Sequence, residues 1–108
     1  MISEERVEKA VEFIRDHSES LGGLIGRCKA LEQKRKVVYG QEFLAQGGKG
    51  TVAEREAAAY SSKDYRLLVE EIEDAWAEKS TLETHVLAAQ LTIDVWRSQN
   101  SAKNKGHL

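Results

Sequence analysis

Mostly apolar residues recur at alternating spacings of three and four along two long stretches of this chain. This spacing is typical of a coiled-coil seam, in which one face of a helix packs along a neighbouring helix. The chain contains no proline, so neither stretch contains the strongest helix breaker. We therefore predict an all-α fold. The seam of the first stretch is Ser3, Val7, Ala10, Ile14, His17, Leu21, Leu24, Cys28, Leu31, Arg35, Val38, Glu42 and Ala45, and that of the second is Tyr65, Leu68, Ile72, Ala75, Lys79, Leu82, Val86, Ala89, Ile93 and Trp96.

Capping and turn residues set the predicted helix boundaries. Ser3 is a good N-cap, and the glycines of 47–50 favour left-handed backbone conformations that end the first helix. Thr51 and Glu54 have the spacing of a capping box, and Ser61 with Asp64 indicates a further helix start. The sequence predicts helices over about 3–46, 52–60 and 62–99, in a single domain of residues 1–100. The tail, 101–108, reads as disordered.

The two seams match each other if the chain folds back near residue 48. This antiparallel register places Cys28 opposite Leu68 and Val7 opposite Ala89, and it puts the polar exceptions His17 and Lys79 in one layer. The prediction is a long antiparallel helical hairpin, coiled-coil-like, with a short connecting helix.

Three glycines, at positions 22, 23 and 26, interrupt the first stretch without shifting the seam. Each costs a helix about 0.5–1 kcal/mol relative to alanine. We predict a continuous but bendable helix whose glycines point away from the seam. The alternative is a break at the glycines that folds the chain into a three-helix bundle.

The last helix carries a second apolar face, formed by Thr84, Leu87, Ala88, Leu91 and Val95. A helix that is apolar on two faces needs two partners, and an exposed apolar face of this kind usually marks an interface. The sequence therefore predicts a homo-oligomer. Its predicted interface residues are Trp76, Leu87, Leu91 and Val95.

The residue types that carry catalysis or bind metal are sparse and scattered. His17, His85 and His107 form no metal-ligand spacing with Cys28, and no partner base for a cysteine nucleophile can be identified. We expect no enzymatic activity, no cofactor, no metal and no small-molecule substrate. A lone cysteine leaves no internal disulfide, and the sequence has neither a membrane-spanning run nor a signal peptide, so we expect a soluble cytoplasmic protein without membrane contact.

Charge is unevenly distributed along the chain. Residues 27–66 hold nine basic and five acidic side chains, whereas 67–95 hold one basic and seven acidic. A basic hairpin tip near Tyr39, Phe43 and Tyr60 could bind phosphates and stack bases. The candidate nucleic-acid-binding residues are Arg27, Lys34, Arg35, Lys36, Lys49 and Arg55. The acidic helix face of Glu70, Glu71, Asp74 and Glu78 could instead mimic nucleic acid.

The segments "GKGTVAEREAAAYSSKDY" and "LAAQLTIDVWRSQN" resemble small uncharacterised helical proteins of tailed bacteriophages and prophages. The resemblance covers roughly residues 24–100. It implies a setting in the bacterial host cytoplasm, no known enzymatic activity, and in some cases a place among genes for replication or recombination. The residues that carry it are Thr51, Val52, Ala53, Glu54, Arg55, Glu56, Tyr65, Trp96 and Arg97.

The function predicted from these features is that of a non-enzymatic helical interaction or adaptor protein of phage or prophage type, with a phage or host protein as its partner. One alternative is a DNA-binding accessory factor in phage recombination or replication. The other is an inhibitor of a host enzyme that acts through its acidic helix face.

Overall fold

The computed structural model describes residues 1–106, and these residues form three α-helices and no strand. Helix α1 spans Glu4–Leu44, α2 spans Val52–Ser61 and α3 spans Lys63–Gly106. The fold is thus the predicted all-α antiparallel helical hairpin with a short connecting helix. Because α1 is continuous, the alternative three-helix bundle with a break at the glycines is not adopted. None of the described helices combines the length and the apolar character needed to cross a membrane.

Two compact units make up the chain. Unit 1 contains Met1–Gly23 and the described part of Lys79–Leu108, and unit 2 contains Leu24–Glu78. Helices α1 and α3 contribute to both units, so the predicted single domain of residues 1–100 includes parts of each. In α1 the boundary between the units falls directly after the glycine pair, Gly22 and Gly23.

The core of unit 2 lies on the predicted seams. Cys28 and Leu31 of α1 pack with residues of α3, and Val38 packs against this cluster from the side. The α3 members of the core are Leu68, Ile72 and Ala75. Burying a leucine or isoleucine side chain stabilises a fold by about 1.5–3 kcal/mol, so this cluster contributes a large share of the stability of the unit.

Unit 1 has a sparser core, made of the seam residues Val7, Ala10 and Ala89. The backbone N–H of Ile2 donates a hydrogen bond to Oε1 of Gln99 at 2.9 Å, which joins the start of the chain to α3. All buried residues of α1 and α3 in the described chain occupy predicted seam positions. The seam prediction is therefore confirmed at these positions, whereas the predicted seam residues Ser3, Arg35 and Ala45 are exposed.

The polar seam residues His17 and Lys79 are both half-buried, and each has a partner on its own helix. The His17 ring stacks on Phe13 with ring centres 4.1 Å apart, and its Nδ1 lies 2.8 Å from the Phe13 carbonyl oxygen. Nζ of Lys79 forms an ion pair with Oε1 of Glu83 at 3.3 Å. A polar layer shared by His17 and Lys79 stays a prediction.

Contacts between α1 and α3 lie two residues further along α3 than the predicted register. In unit 2, Nη2 of Arg27 bonds Oε1 of Glu71 at 3.2 Å, where position 69 was expected. In unit 1 the Phe13 ring meets the edge of His85 at 6.2 Å, where position 83 was expected. Both contacts are made by residues that flank the seams, and the buried residues of the two helices occupy seam positions.

The turn between α1 and α2 has the predicted glycine geometry. Gly47, Gly48 and Gly50 have φ values of 64°, 75° and 80°, in the left-handed region that residues with a Cβ rarely adopt. Thr51 then caps α2, because its Oγ1 accepts a hydrogen bond of 3.1 Å from the backbone N–H of Glu54. The predicted cap at Thr51 is confirmed.

The cap of α3 differs from the prediction. Ser62, not Ser61, caps this helix: its Oγ lies 3.3 Å from the backbone N–H of Tyr65. Ser61 is still the last residue of α2, and its hydroxyl donates to the Ala57 carbonyl at 2.8 Å. The phase of the preceding helix decides which of the two adjacent serines is left outside helical conformation.

The C-terminal end of α3 also differs from the prediction. Residues 101–106, which read as part of a disordered tail, are helical. The segment Ser101–Lys105 contains no helix breaker, and Lys103 and Lys105 in the last turn interact favourably with the helix dipole. The last two tail residues, His107 and Leu108, lie outside the described residues.

Candidate interaction surfaces

The second apolar face of α3 is exposed, as its position relative to the seam requires. Four of its five residues, Thr84, Ala88, Leu91 and Val95, follow the seam positions by two, which is a rotation of about 200° around the helix; Leu87 lies at the edge of this face, about 40° from Leu91. Leu87 and Leu91 are each 53% exposed and Val95 is 44% exposed. These three predicted interface residues therefore lie together on one solvent-facing side of α3 within unit 1.

Trp76, the fourth predicted interface residue, belongs to unit 2. Its side chain is 42% exposed, next to the buried Ala75 of the unit 2 core. The structure thus places it in a different unit from Leu87, Leu91 and Val95.

The exposed face of α3 continues beyond the five residues identified from the sequence. The same spacing of three and four extends it at both ends, and every member is exposed and uncharged. The added residues, Thr81, Ser98 and Ala102, were missed in the sequence because serine, threonine and alanine contribute little to a hydrophobic pattern. We call this set the outer stripe of α3: Thr81, Thr84, Ala88, Leu91, Val95, Ser98 and Ala102. Leu87, which is off this spacing, lies at the edge of the stripe.

Two hydroxyl groups, one in the outer stripe and one beside it, are satisfied within the helix. Oγ1 of Thr84 donates to the Ser80 carbonyl at 2.9 Å, and Oγ1 of Thr92 donates to the Ala88 carbonyl at 3.1 Å. A partner covering this surface would therefore not have to supply hydrogen bonds to these two groups. The surface behaves as less polar than its composition indicates.

A cluster of aromatic rings forms a second candidate surface, in unit 2. The Tyr39 ring of α1 lies 4.8 Å from the Tyr60 ring of α2 and 6.3 Å from the Tyr65 ring of α3. Tyr60 and Tyr65 meet edge to face at 5.4 Å. These contacts, with the fully buried Ala59, fix the position of α2, whose apolar residues do not continue the seam of α3.

The aromatic cluster changes the chemistry of one of its members. Loss of hydration through partial burial raises the pKa of the Tyr39 phenol above its ordinary value of 10.0, and the nearby Glu56 carboxylate raises this pKa further. The Tyr39 ring also contacts the Phe43 ring. The Arg55 guanidinium lies over the Phe43 ring, 5.3 Å from the ring centre. Arg55 thus stacks on the aromatic cluster as a cation on a π face.

The candidate nucleic-acid-binding residues all lie in unit 2, but on different sides of it. Arg27 is paired with Glu71, and Arg35 is paired with Glu32 at 3.0 Å. Lys36 follows Arg27 by nine residues, which places the two on opposite sides of α1. Lys34, Lys36 and Lys49 form no ion pair with the residues that the structure describes. The six cations therefore do not form one continuous basic face.

The acidic residues Glu70, Asp74 and Glu78 recur every four residues and are exposed along one side of α3. Glu71 lies apart from them, because it is half-buried and bonded to Arg27. The acidic face therefore contains three of the four predicted carboxylates.

Among residues 1–106, no cluster of three or more histidine, cysteine, aspartate or glutamate side chains is placed to hold a metal ion. Cys28 is buried in the unit 2 core as a free thiol.

Comparison with known proteins gives no assignment. No family model matches the chain, and no curated protein or solved structure is significantly similar to it.

Proposed function

We propose that this chain is a non-enzymatic helical interaction protein that binds other helices through the outer stripe of α3. The observation that carries this proposal is the two-sided character of α3. One side supplies the buried seam residue Ala89, and the other exposes Leu91 and Val95 without a charged residue in the stripe. Helices with two such faces are typical of bundles completed by a further helix.

The proposal can be tested by comparing what the protein and its variants capture from a bacterial lysate. Leu91→Glu places a carboxylate in the middle of the outer stripe, where it would have to lose its hydration on binding. Val37→Glu is a matched control, because Val37 is an apolar residue of α1 with a similar exposure of 57%.

We expect Leu91→Glu to lose proteins that the wild type and Val37→Glu both retain. Circular dichroism of both variants checks that the helices persist. Identical captured sets from all three proteins would contradict the proposal.

Nucleic-acid binding is the second candidate function. It is favoured by the aromatic cluster of unit 2, where Tyr60 is 54% exposed and Arg55 stacks on Phe43. Binding of labelled single-stranded and double-stranded DNA should then weaken steeply with added salt, and Lys36→Ala with Lys49→Ala should reduce the steepness. No binding at low salt would exclude this function.

The setting that we propose is a bacterial host cytoplasm during infection or lysogeny, and it rests on the resemblance of residues 24–100 to phage and prophage proteins. Capture of the same partner from infected and uninfected cells would identify it as a host protein.

A further inference from the structure

The outer stripe of α3 is symmetric in its spacing. From Thr81 to Ser98 the intervals read three, four, three, four and three, so the pattern is the same in both chain directions. A second copy of the helix running the opposite way can therefore match the stripe at every position. The centre of this symmetry lies between Ala88 and Leu91.

The facing residues in such a pair complement each other in size. Leu91 of one copy would face Ala88 of the other, so that each large side chain meets a small one. Val95 would face Thr84, which has nearly the same shape, and Ser98 would face Thr81. Alternation of large and small residues lets helices approach closely without leaving a void.

We propose that the occupant of the outer stripe is a second copy of this chain, with the two α3 helices packed antiparallel about a two-fold axis between Ala88 and Leu91. This inference rests on the proposed function, since it names the partner for the same surface. A C2 dimer requires a self-complementary surface, and the stripe is self-complementary in spacing and size.

The first experiment measures association of the full chain by sedimentation from low to high micromolar concentration. We expect the wild type and Val37→Glu to dimerise and Leu91→Glu to remain monomeric, because that variant places two carboxylates close to the two-fold axis. A monomeric wild type at high micromolar concentration would overturn the proposal. So would a dimer that Leu91→Glu leaves intact.

The second experiment tests which residues face each other by exchanging side-chain sizes. Ala88→Leu sets leucine against leucine at two positions and should weaken the dimer about tenfold. Adding Leu91→Ala restores the pairing of one large with one small side chain in the antiparallel dimer and should restore its affinity.

Failure of the rescue would refute antiparallel packing. The two proposals can fail separately. A monomeric wild type whose lysate partners are lost on Leu91→Glu refutes the dimer but leaves the proposed function standing. If Leu91→Glu changes neither dimerisation nor capture, both are refuted.

Discussion

The glycines inside α1 make a quantitative prediction about stability. Gly22 and Gly23 are exposed, helical, and without any atom within 4 Å of the place where a Cβ would stand. The double substitution Gly22→Ala with Gly23→Ala therefore adds no clash. It removes the backbone entropy that each glycine loses on folding, about 0.5–1 kcal/mol per position.

The two changes together should raise the free energy of unfolding by about 1–2 kcal/mol. For a chain of this length that corresponds to an increase in Tm of about 5–15 °C. Urea and thermal unfolding, followed by far-ultraviolet circular dichroism at equal protein concentration, measure both quantities. Equal concentration matters because self-association would itself shift the midpoint.

Gly48→Ala is the matched control, since it makes the same chemical change in a different backbone conformation. Gly48 has a φ of 75°, and a Cβ in that region costs about 1–2 kcal/mol. The control should lower the midpoint while the α1 double variant raises it. A double variant that is less stable than the wild type would refute a continuous helix through Gly22 and Gly23.

Three further predictions concern unit 2. Leu68→Ala should lower the free energy of unfolding by about 2–5 kcal/mol, because Leu68 is in the core. Leu67→Ala, at the exposed neighbouring position, should change this free energy little, and similar effects of the two variants would contradict the core assignment. In urea unfolding, Ser62→Ala should lower the free energy of unfolding by about 1 kcal/mol, and Ser61→Ala should lower it less. The reverse order would contradict the assignment of Ser62 as the cap of α3. Tyr39→Phe should remove from the spectroscopic tyrosine titration the component whose pKa is raised above 10.0. Because the folded chain holds the Tyr39 proton more tightly than the unfolded chain, the contribution of Tyr39 to stability is present below pH 10.0 and is lost as the pH rises through the raised pKa.

Burial along the seams could be predicted from the sequence because it depends on helical periodicity alone. Cys28, Leu68 and Ala89 are buried where the spacing of three and four places them. The same argument predicted that Gly22 and Gly23 would face solvent without interrupting α1. Periodicity survives such local weaknesses because each glycine costs less than the packing of the seam contributes.

The position of α2 could not be predicted, because it depends on contacts between residues far apart in the chain. Tyr39, Tyr60 and Tyr65 come from three helices, and no local pattern indicates that their rings meet.

The basic surface could not be predicted for the same reason. Counting charges over 27–66 gave a positive segment, but folding pairs Arg27 with Glu71 and turns Lys36 to the other side of α1.

Cys28 offers a use that follows from its place in the core. It is the only cysteine of the chain and is 2% exposed, between helices α1 and α3 of unit 2. A thiol reagent can react with it only when this part of the molecule opens. At low reagent concentration the labelling rate therefore reports the opening equilibrium of unit 2, and at high reagent concentration it reports the opening rate. No introduced probe is needed. The native sequence thus carries its own single-site reporter of local unfolding.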